Sequence, residues 1–367
     1  MDISKTKQEQ SAGENSSQNQ LVGDNSSQTI IETQVNSVNN TSITYNGMSP
    51  TEIVEFTTTV SAQVTKQALA LCTEVAKETA KHRINDFETI WVQRITKMEN
   101  VVNNLIDPKF QFMIRDAQIT AVKSTRKDDL DMLSELLAYH IEKGSSNMKI
   151  DAGIRRAIEI VHEVDNDSLC ALTIVASLLG IMPLNGDIKI GLSNLNDVFS
   201  HLLYTDLPEG YDWIDHLNVL GTVTVLTGNF YKLSRIISNS YNGYVCAGIK
   251  ENSEEHNQAI EILNNHGYDS RVLVSNDCLP GYLRLPIVTQ GSLKEELKPI
   301  LNLYSKDKEI VKSSELNFMA LWDSHDSLRI IREWFERIPV WFRINSVGNA
   351  LAQTNAKRCF PGFPDLI

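Results

Sequence analysis

The clearest hydrophobic pattern in the chain is a stripe of apolar residues that begins soon after position 48. Its members recur about every 3.7 residues, which is close to the period of an α-helix. They are Ile53, Phe56, Val60, Val64, Ala68, Leu71 and Val75. The preceding Ser49, Pro50 and Glu52 are typical of a helix start, because they supply a capping hydroxyl, a preset backbone angle and a carboxylate. Since the stripe is narrow, we expect the helix to lie on its own domain or to pair with the same helix of another subunit.

Further segments of helical period follow as far as residue 240. Predicted helices span about 87–105, 108–123, 128–144, 151–161, 167–184, 193–202 and 213–239, the last being a pair broken near Gly228. Asp107-Pro108 is a clear helix start, and Asp128, Asp151, Asp167 and Ser193 are the other expected starts or caps. We therefore predict that residues 48–240 form one all-helical domain.

The pattern changes after Tyr241 to short apolar runs of strand composition. Strands are predicted at 243–249, 271–275, 282–288 and 338–344, with helices at 253–264, 292–303, 326–335 and 346–357. Residues 241–367 are therefore predicted to form a smaller α/β domain. Its last helix, strand and Ser346-capped helix resemble part of a winged-helix module. The predicted fold class is mainly α, with this α/β part and a β-prone N-terminal repeat.

That repeat lies in residues 1–47, which are rich in Ser, Asn, Gln and Thr. The sequence ENSSQ at 14–18 is followed by DNSSQ at 24–28, and a looser third copy begins at Gln34. Stacked Asn and Gln side chains can form hydrogen-bonded ladders, and apolar pairs between the copies can pack together. We predict a self-assembly element, with a disordered tail as the alternative. The residues assigned to self-assembly are Asn15, Gln18, Gln20, Leu21, Val22, Gly23, Asn25, Gln28, Ile30 and Ile31.

Composition and charge restrict the possible partners. Hydrophobic residues make up 42% of the chain, which is enough for a sizeable core. The net charge of −12 argues against general attraction to nucleic acid or to anionic membranes. The cysteines, at 72, 170, 246, 278 and 359, are scattered and lack CxxC pairing, which indicates free thiols in a reducing compartment. Because the N-terminus lacks a signal-peptide core, we expect a cytoplasmic protein.

One apolar segment tests the possibility of a membrane helix. Residues 168–186 carry no charge, but their apolar part, 169–184, is shorter than the roughly 20 residues that a spanning helix needs. Asp165, Asp167 and Asp187 flank it closely. We therefore predict a buried core helix without stable membrane insertion, and membrane disruption after assembly remains an alternative.

The search for catalytic chemistry finds one cluster. At helical spacing Asp212 shares a face with Asp215 and His216, which suggests a metal or acid–base site. We favour a solvated acidic turn with a structural histidine, because no second His or Glu lies at ligand spacing. The histidines at 82, 140, 162 and 201 are isolated in sequence, and the phosphate-loop, HExxH and GxSxG motifs are missing. We predict no catalytic residue, metal site or cofactor, and we leave enzymatic activity open.

The C-terminal run 329–358 combines basic and aromatic residues. It contains Arg329, Arg332, Arg337, Arg343, Lys357 and Arg358, with Trp334, Trp341 and Phe342 between them. Such a mixture can bind nucleic acid through phosphate contacts and base stacking. We favour the alternative that the aromatic rings fill a core with the arginines at its rim, because the chain as a whole is acidic.

Two resemblances arise from these residues. The segment 20–25 (QLVGDN) resembles the short amyloid-signalling motifs of immune proteins, which include the RIP homotypic interaction motif. It departs from them because Gln20 precedes the apolar pair instead of lying between two apolar residues. The body is similar to an uncharacterised bacterial family known by locus-tag names. Its points of contact are ITYNG at 43–47, DP and FQ at 107–111, His216-Leu217 with Gly221, FRINSVG at 342–348, Ala350, Ala352 and NAKR at 355–358.

The second resemblance implies a biological role but no chemical reaction. Members of that family often carry Asn/Gln/Gly-rich N-terminal segments and are suspected of roles in anti-phage conflict, but no catalytic residue comes with them. We therefore predict an oligomerising interaction or effector protein, a homo-oligomer with a possible defence-system partner protein. The alternatives are a hydrolytic enzyme with its site near His216, a membrane-disrupting effector and a DNA-binding effector.

Overall fold

The structure is a computed structural model that describes residues 73–98, 101–143, 147–226 and 232–366, together with Glu55 and Thr59. Its helices are α1 (Glu74–Ile95), α2 (Val101–Leu105), α3 (Pro108–Lys123), α4 (Lys127–Lys143), α5 (Met148–Ile160), α6 (Asn166–Gly180), α7 (Ile188–Leu202), α8 (Asp212–Val219), α9 (Leu233–Ser240), α10 (Glu254–Asn265), α11 (Lys298–Leu301), α12 (Lys308–Asp323), α13 (Asp326–Phe335) and α14 (Ser346–Cys359). The strands are β1 (Val223–Leu226), β2 (Ile249–Lys250), β3 (Val274–Ser275), β4 (Tyr282–Arg284) and β5 (Trp341–Ile344). The prediction of a mainly helical protein is confirmed.

The chain divides into a unit of residues 1–47 and a unit of residues 48–367. The first unit lies outside the described residues, so the self-assembly residues from Asn15 to Ile31 stay a prediction. In the second unit, the division predicted near residue 240 does not separate two packing units. The reason is α14, which comes from the far end of the chain and packs among α4, α5 and α6.

Helix α14 is the central element of the larger hydrophobic cluster. Gly348 and every residue from Ala350 to Ala356 are buried. The same cluster includes large side chains from other helices, such as Trp91, Phe110 and Phe199. A second, smaller cluster is built from residues 246–304 and includes Ile249, Leu263, Leu285 and Ile300. The α/β composition predicted after residue 241 is therefore confined to a small region, and the C-terminal helix belongs to the helical body.

Local capping signals explain several helix starts. Asp107 accepts a hydrogen bond from the Lys109 backbone N–H at 2.9 Å, and Pro108 takes the first helical position, as predicted. The caps predicted at Asp151, Asp167 and Ser193 are wrong, since the true caps are Asn147, Asp165 and Asp187. An acidic residue is favourable both at the cap and in the first turn, so the sequence alone does not separate the two positions.

The helical pair predicted at 213–239 is also wrong in its middle. Gly221, with a φ of +70°, follows the end of α8, and the chain then enters β1. Strand β1 pairs antiparallel with β5, placing Val223 opposite Ile344 and Leu226 opposite Trp341. β-branched residues favour strands when a partner is available, and the partner here comes from the far end of the chain.

The strands predicted between 243 and 288 are much shorter in the structure. They form a three-stranded sheet in the order β2-β4-β3 with antiparallel pairing throughout. Most of the remaining apolar residues there lie in turns and one-turn helices that pack on α10. Helix α12 was not predicted. Half of its residues are apolar, but only Ser314, Phe318 and Trp322 are buried.

The uncharged segment tested as a membrane helix is a core helix. In α6, every residue from Ser168 to Ser177 is buried, which agrees with the prediction. Over the described residues, none of the helices combines the length and the apolar character needed to cross a bilayer.

Candidate functional site

The predicted cluster of Asp212, Asp215 and His216 lies on α8, and its histidine contacts a neighbouring segment. Asp212 and Asp215 are exposed, and neither is paired with His216. His216 Nε2 instead lies 3.0 Å from the backbone oxygen of Glu163 and 3.7 Å from Asp165 Oδ2. Because Asp165 caps α6, His216 ties α8 to the start of α6. Within the described residues, no group of three or more His, Cys, Asp or Glu side chains is arranged to hold a metal ion.

The basic and aromatic residues of the C-terminal run also make contacts that hold parts of the fold together. Trp334 donates to the Pro208 oxygen at 2.8 Å and lies 5.7 Å from the ring of Trp213. Four of its five arginines are paired with carboxylates: Arg329 with Asp326, Arg332 with Asp323, Arg337 with Glu209, and Arg358 with Asp128. The fifth, Arg343, lies exposed on β5. Helix α14, the expected recognition helix of a winged-helix module, is buried on almost all sides. A helix in that position cannot enter a DNA groove without leaving the core.

A network of hydrogen-bonded polar side chains, which we call the polar hub, surrounds the buried Asn355 of α14. Its Nδ2 donates to Thr173 Oγ1 at 2.8 Å and to Tyr204 Oη at 3.3 Å. Its Oδ1 accepts from Nε and Nη2 of Arg358 at 3.1 and 2.9 Å. The hub therefore joins α14 to α6 and to the segment after α7. Buried polar networks of this kind stabilise one arrangement of helices when every member is satisfied.

The charged neighbours of the hub extend it to α4 and to the C-terminal segment. Arg358 lies 5.0 Å from the ring centre of Tyr204 and 3.1 Å from Asp128 of α4. Lys357 pairs with Glu142 at 3.0 Å and with Asp365 at 3.3 Å. The motif NAKR at 355–358, which carried part of the family resemblance, thus has a structural role in this protein.

A second buried group lies between α3, α4 and α5. His140 Nε2 is 3.0 Å from Asp151 Oδ1, and Asp151 Oδ2 accepts from Lys109 and Arg155, both at 2.9 Å. His140 also stacks on Phe110, with ring centres 5.3 Å apart. Sequence reasoning missed this group, because His140 and Asp151 lie on different helices and neither belongs to a motif.

The electrostatics of that pair favour a neutral histidine beside an ionised aspartate. Burial lowers the pKa of His140, which the hydrogen bond to Asp151 only partly offsets. Burial raises the pKa of Asp151, but hydrogen bonds from Lys109 and His140 outweigh it, so the net pKa is below its ordinary value. A His–Asp pair can act as a general base, but a base must reach its substrate. Both ring nitrogens of His140 lie inside the helix packing, so the pair anchors α4 to α5.

We expect the protein to lose stability in mild acid because of His140. A histidine that stays neutral in the folded state gains its proton on unfolding, so stability falls as pH drops below about 6.5. His140→Gln should make the fall in unfolding free energy between pH 7 and 5 smaller than in wild type. The difference in unfolding free energy between wild type and variant, measured across this range by denaturant titration, isolates the effect. The exposed His82→Gln should keep the wild-type slope, and equal slopes for all three proteins would contradict the assignment.

A polar cleft of about 450 Å³ lies between α1 and the start of α4. Its lining residues are Arg83, Asp86, Thr89, Ile90, Ser124, Thr125, Arg126, Lys127 and Leu130. In this cleft Arg126 forms an ion pair with Asp129 at 2.7 Å. It also donates hydrogen bonds to the backbone oxygens of Val161 and Val164 at 3.2 and 2.6 Å. Arg83 donates to the Val122 oxygen at 2.6 Å. Two of the three cationic side chains of this cleft, Arg83 and Arg126, are therefore engaged in holding neighbouring segments together.

Comparison with known protein families defines the class of this protein. A family model matches residues 47–366, so the chain belongs to that family, an uncharacterised one known by locus-tag names. Comparisons with curated proteins and with solved structures gave no match. The family match begins where the unit of residues 48–367 begins, and the N-terminal repeat lies outside it.

Proposed function

We propose that this protein is an oligomerising interaction or effector protein that assembles through its N-terminal repeat and acts in bacterial anti-phage defence. The observation that carries the proposal is the placement of the repeat. The two close copies, at 14–18 and 24–28, precede both the family match and the unit of residues 48–367. A repetitive polar segment attached to a separate, family-defined body is the arrangement expected of an assembly module joined to an effector.

The chemistry of the body supports interaction over hydrolysis. The side chains that sequence and structure offer for acid–base work, His216 and the His140–Asp151 pair, are engaged in contacts between helices. The Asn355 hub and its charged neighbours also hold helices together. These groups give the body one fixed arrangement, which suits a protein that presents a surface to a partner.

The apolar stripe of residues 53–75 supports a small closed oligomer. Its last member, Val75, lies in the first turn of α1 and is 80% exposed within a single chain. The neighbouring ion pairs Glu74–Lys77 and Glu78–Lys81 lie on the first turns of the same helix. Glu14, Asp24 and Glu32 would repel their copies in an in-register fibril. Pairing of the repeat followed by packing of the stripe between copies is therefore the assembly that we propose.

Removal of the repeat should lower the assembly state. Full-length protein is expected to be multimeric by multi-angle light scattering, and protein starting at Met48 should have a lower mass per particle. Replacing Leu21, Val22, Ile30 and Ile31 with Ser in the full-length chain should have the same effect, because it removes the apolar pairs while keeping length and charge.

The matched control replaces one exposed apolar residue of the body. Leu316, which is 62% exposed on α12, should leave the mass unchanged when replaced by Ser. If full-length, shortened and four-serine proteins all behave as the same monomer, assembly through the repeat is refuted. The defence role has its own test: phage plating on bacteria that express the full-length protein should be reduced, and the four-serine variant should restore it.

A further inference from the structure

Gln118 of α3 presents an unexplained polar atom in the interior. The residue is 0% exposed, and its Nε2 donates to Glu88 Oε1 of α1 at 3.3 Å. Its Oε1 is also buried, and it has no hydrogen-bond partner among the described residues. A buried amide oxygen without a donor lowers the stability of a fold, so such an atom calls for a donor that the heavy atoms do not reveal.

Glu88 is the side chain that can supply the donor. An ionised carboxylate only accepts hydrogen bonds, whereas a protonated carboxyl group has one O–H to donate. With Glu88 protonated, its O–H can donate to Gln118 Oε1 while Gln118 Nε2 donates to Glu88 Oε1. Exchanging the nitrogen and oxygen of the amide does not remove the need, because Oε1 would then face Glu88 and still require that O–H.

The surroundings of Glu88 favour the protonated form. Burial raises the pKa of Glu88 to about 7, and the hydrogen bond from Gln118 acts in the opposite direction. Several charged groups of the packed helices have partners of their own, and Lys123 lies exposed at the end of α3. Arg83 of α1 donates to the Val122 backbone oxygen of α3. Glu135 of α4 is paired with Arg94 of α1. On α1 itself, Asp86 is paired with His82.

We propose that Glu88 is a proton-binding site whose protonated carboxyl forms a two-hydrogen-bond ring with the Gln118 amide and so latches α1 to α3. Release of the proton to water leaves a carboxylate facing an amide oxygen, which opens the ring. Helix α1 is the first described helix of the body and carries the last residue of the apolar stripe, Val75. Its attachment to the body thus responds to pH within the neutral range.

The direct test is a titration of the Glu88 carboxyl in the full-length protein. With ¹³C-labelled glutamate, assigned by comparison with Glu88→Gln, the carboxyl resonance should be that of a protonated acid at pH 6 and should shift with a midpoint near 7. A midpoint below pH 5.5 would overturn the proposal without reliance on the stability of any variant.

Variants separate the latch from simple burial. Glu88→Gln keeps a two-bond amide ring at every pH, so its thermal midpoint relative to wild type should rise from pH 5 to about 7 and level off above that pH. Glu88→Leu fills the space but leaves Gln118 without a donor, so it should melt below Glu88→Gln throughout. Hydrogen exchange in α1, corrected for the intrinsic rate, should increase above pH 7 in wild type only.

The matched control is Glu78→Gln, at an exposed position of the same helix where the carboxylate pairs with Lys81. It should follow the wild-type pH profile. A Glu88→Gln profile parallel to that of wild type, or equal midpoints for Glu88→Gln and Glu88→Leu, would show that the ring does not form.

Discussion

Asn355→Leu should lower the free energy of unfolding by about 3 kcal/mol. The substitution keeps the number and branching of the side-chain heavy atoms but removes both halves of the amide at the centre of the polar hub. Thr173 and Tyr204 each lose one hydrogen bond, and Arg358 loses two. The Thr173 hydroxyl is fully buried, so water does not replace its lost bond. Denaturant unfolding, followed by circular dichroism, measures the loss as a lower midpoint with an unchanged slope.

The control for this substitution lies on the same helix. Asn349→Leu places the same side chain at an exposed position of α14, where no buried group depends on the asparagine. Its effect should stay within about 0.5 kcal/mol of wild type. If Asn355→Leu is as stable as Asn349→Leu, the hub contributes nothing net, and apolar packing of α14 suffices to hold the bundle.

Gly153→Ala should destabilise the protein by about 2–4 kcal/mol, although alanine is the better helix former. Gly153 lies within α5, where its backbone passes against the start of α14. A Cβ atom at this position would lie 2.5 Å from the Ser346 backbone oxygen. The Ser346 backbone has no room to retreat, because a Cβ on the nearby Gly348 would meet the Thr222 oxygen at 2.3 Å. The close approach of α5 and α14 therefore requires glycine at 153.

Gly180→Ala is the matched control for this prediction. It is also a helical glycine, at the end of α6, but its added Cβ would meet the Leu366 side chain, which can rotate away. We expect it to be neutral or to stabilise by up to about 1 kcal/mol through helix propensity. Thermal unfolding of Gly153→Ala and Gly180→Ala compares the two sites. Equal midpoints would mean that the α5–α14 contact accommodates the added methyl group without loss of stability.

The local features of the fold were predictable. Helix α3 follows from the Asp107-Pro108 start, and α13 follows from its own hydrophobic period, because both depend on residues close together in sequence. Helix α1 begins at Glu74, earlier than the start predicted near residue 87, and the Thr73 side chain caps it. Helix α12 was missed although half of its residues are apolar, and its buried face is narrow, since only Ser314, Phe318 and Trp322 are buried.

The candidate sites were predictable only in part. The α8 cluster was favoured as a structural histidine, and its contacts with Glu163 and Asp165 agree with that reading. The pairs His140–Asp151 and Glu88–Gln118 carried no signal, because each joins two helices and uses residue types that are common on helix surfaces. Only the packing of those helices removes the side chains from water and changes their proton affinity.

The sequence by itself determined the helical class, the change of composition at residue 48, the apolar core helix α6 and the repeat on which the proposed assembly depends. Each is encoded by composition or by a period within one segment. The tertiary structure alone decided that β1 pairs with β5, that α14 occupies the centre of the body, and that Asn355 meets Thr173 across 182 residues of chain. Such contacts depend on how finished elements pack, and a one-dimensional pattern specifies which face of an element is apolar without specifying which other element will cover it.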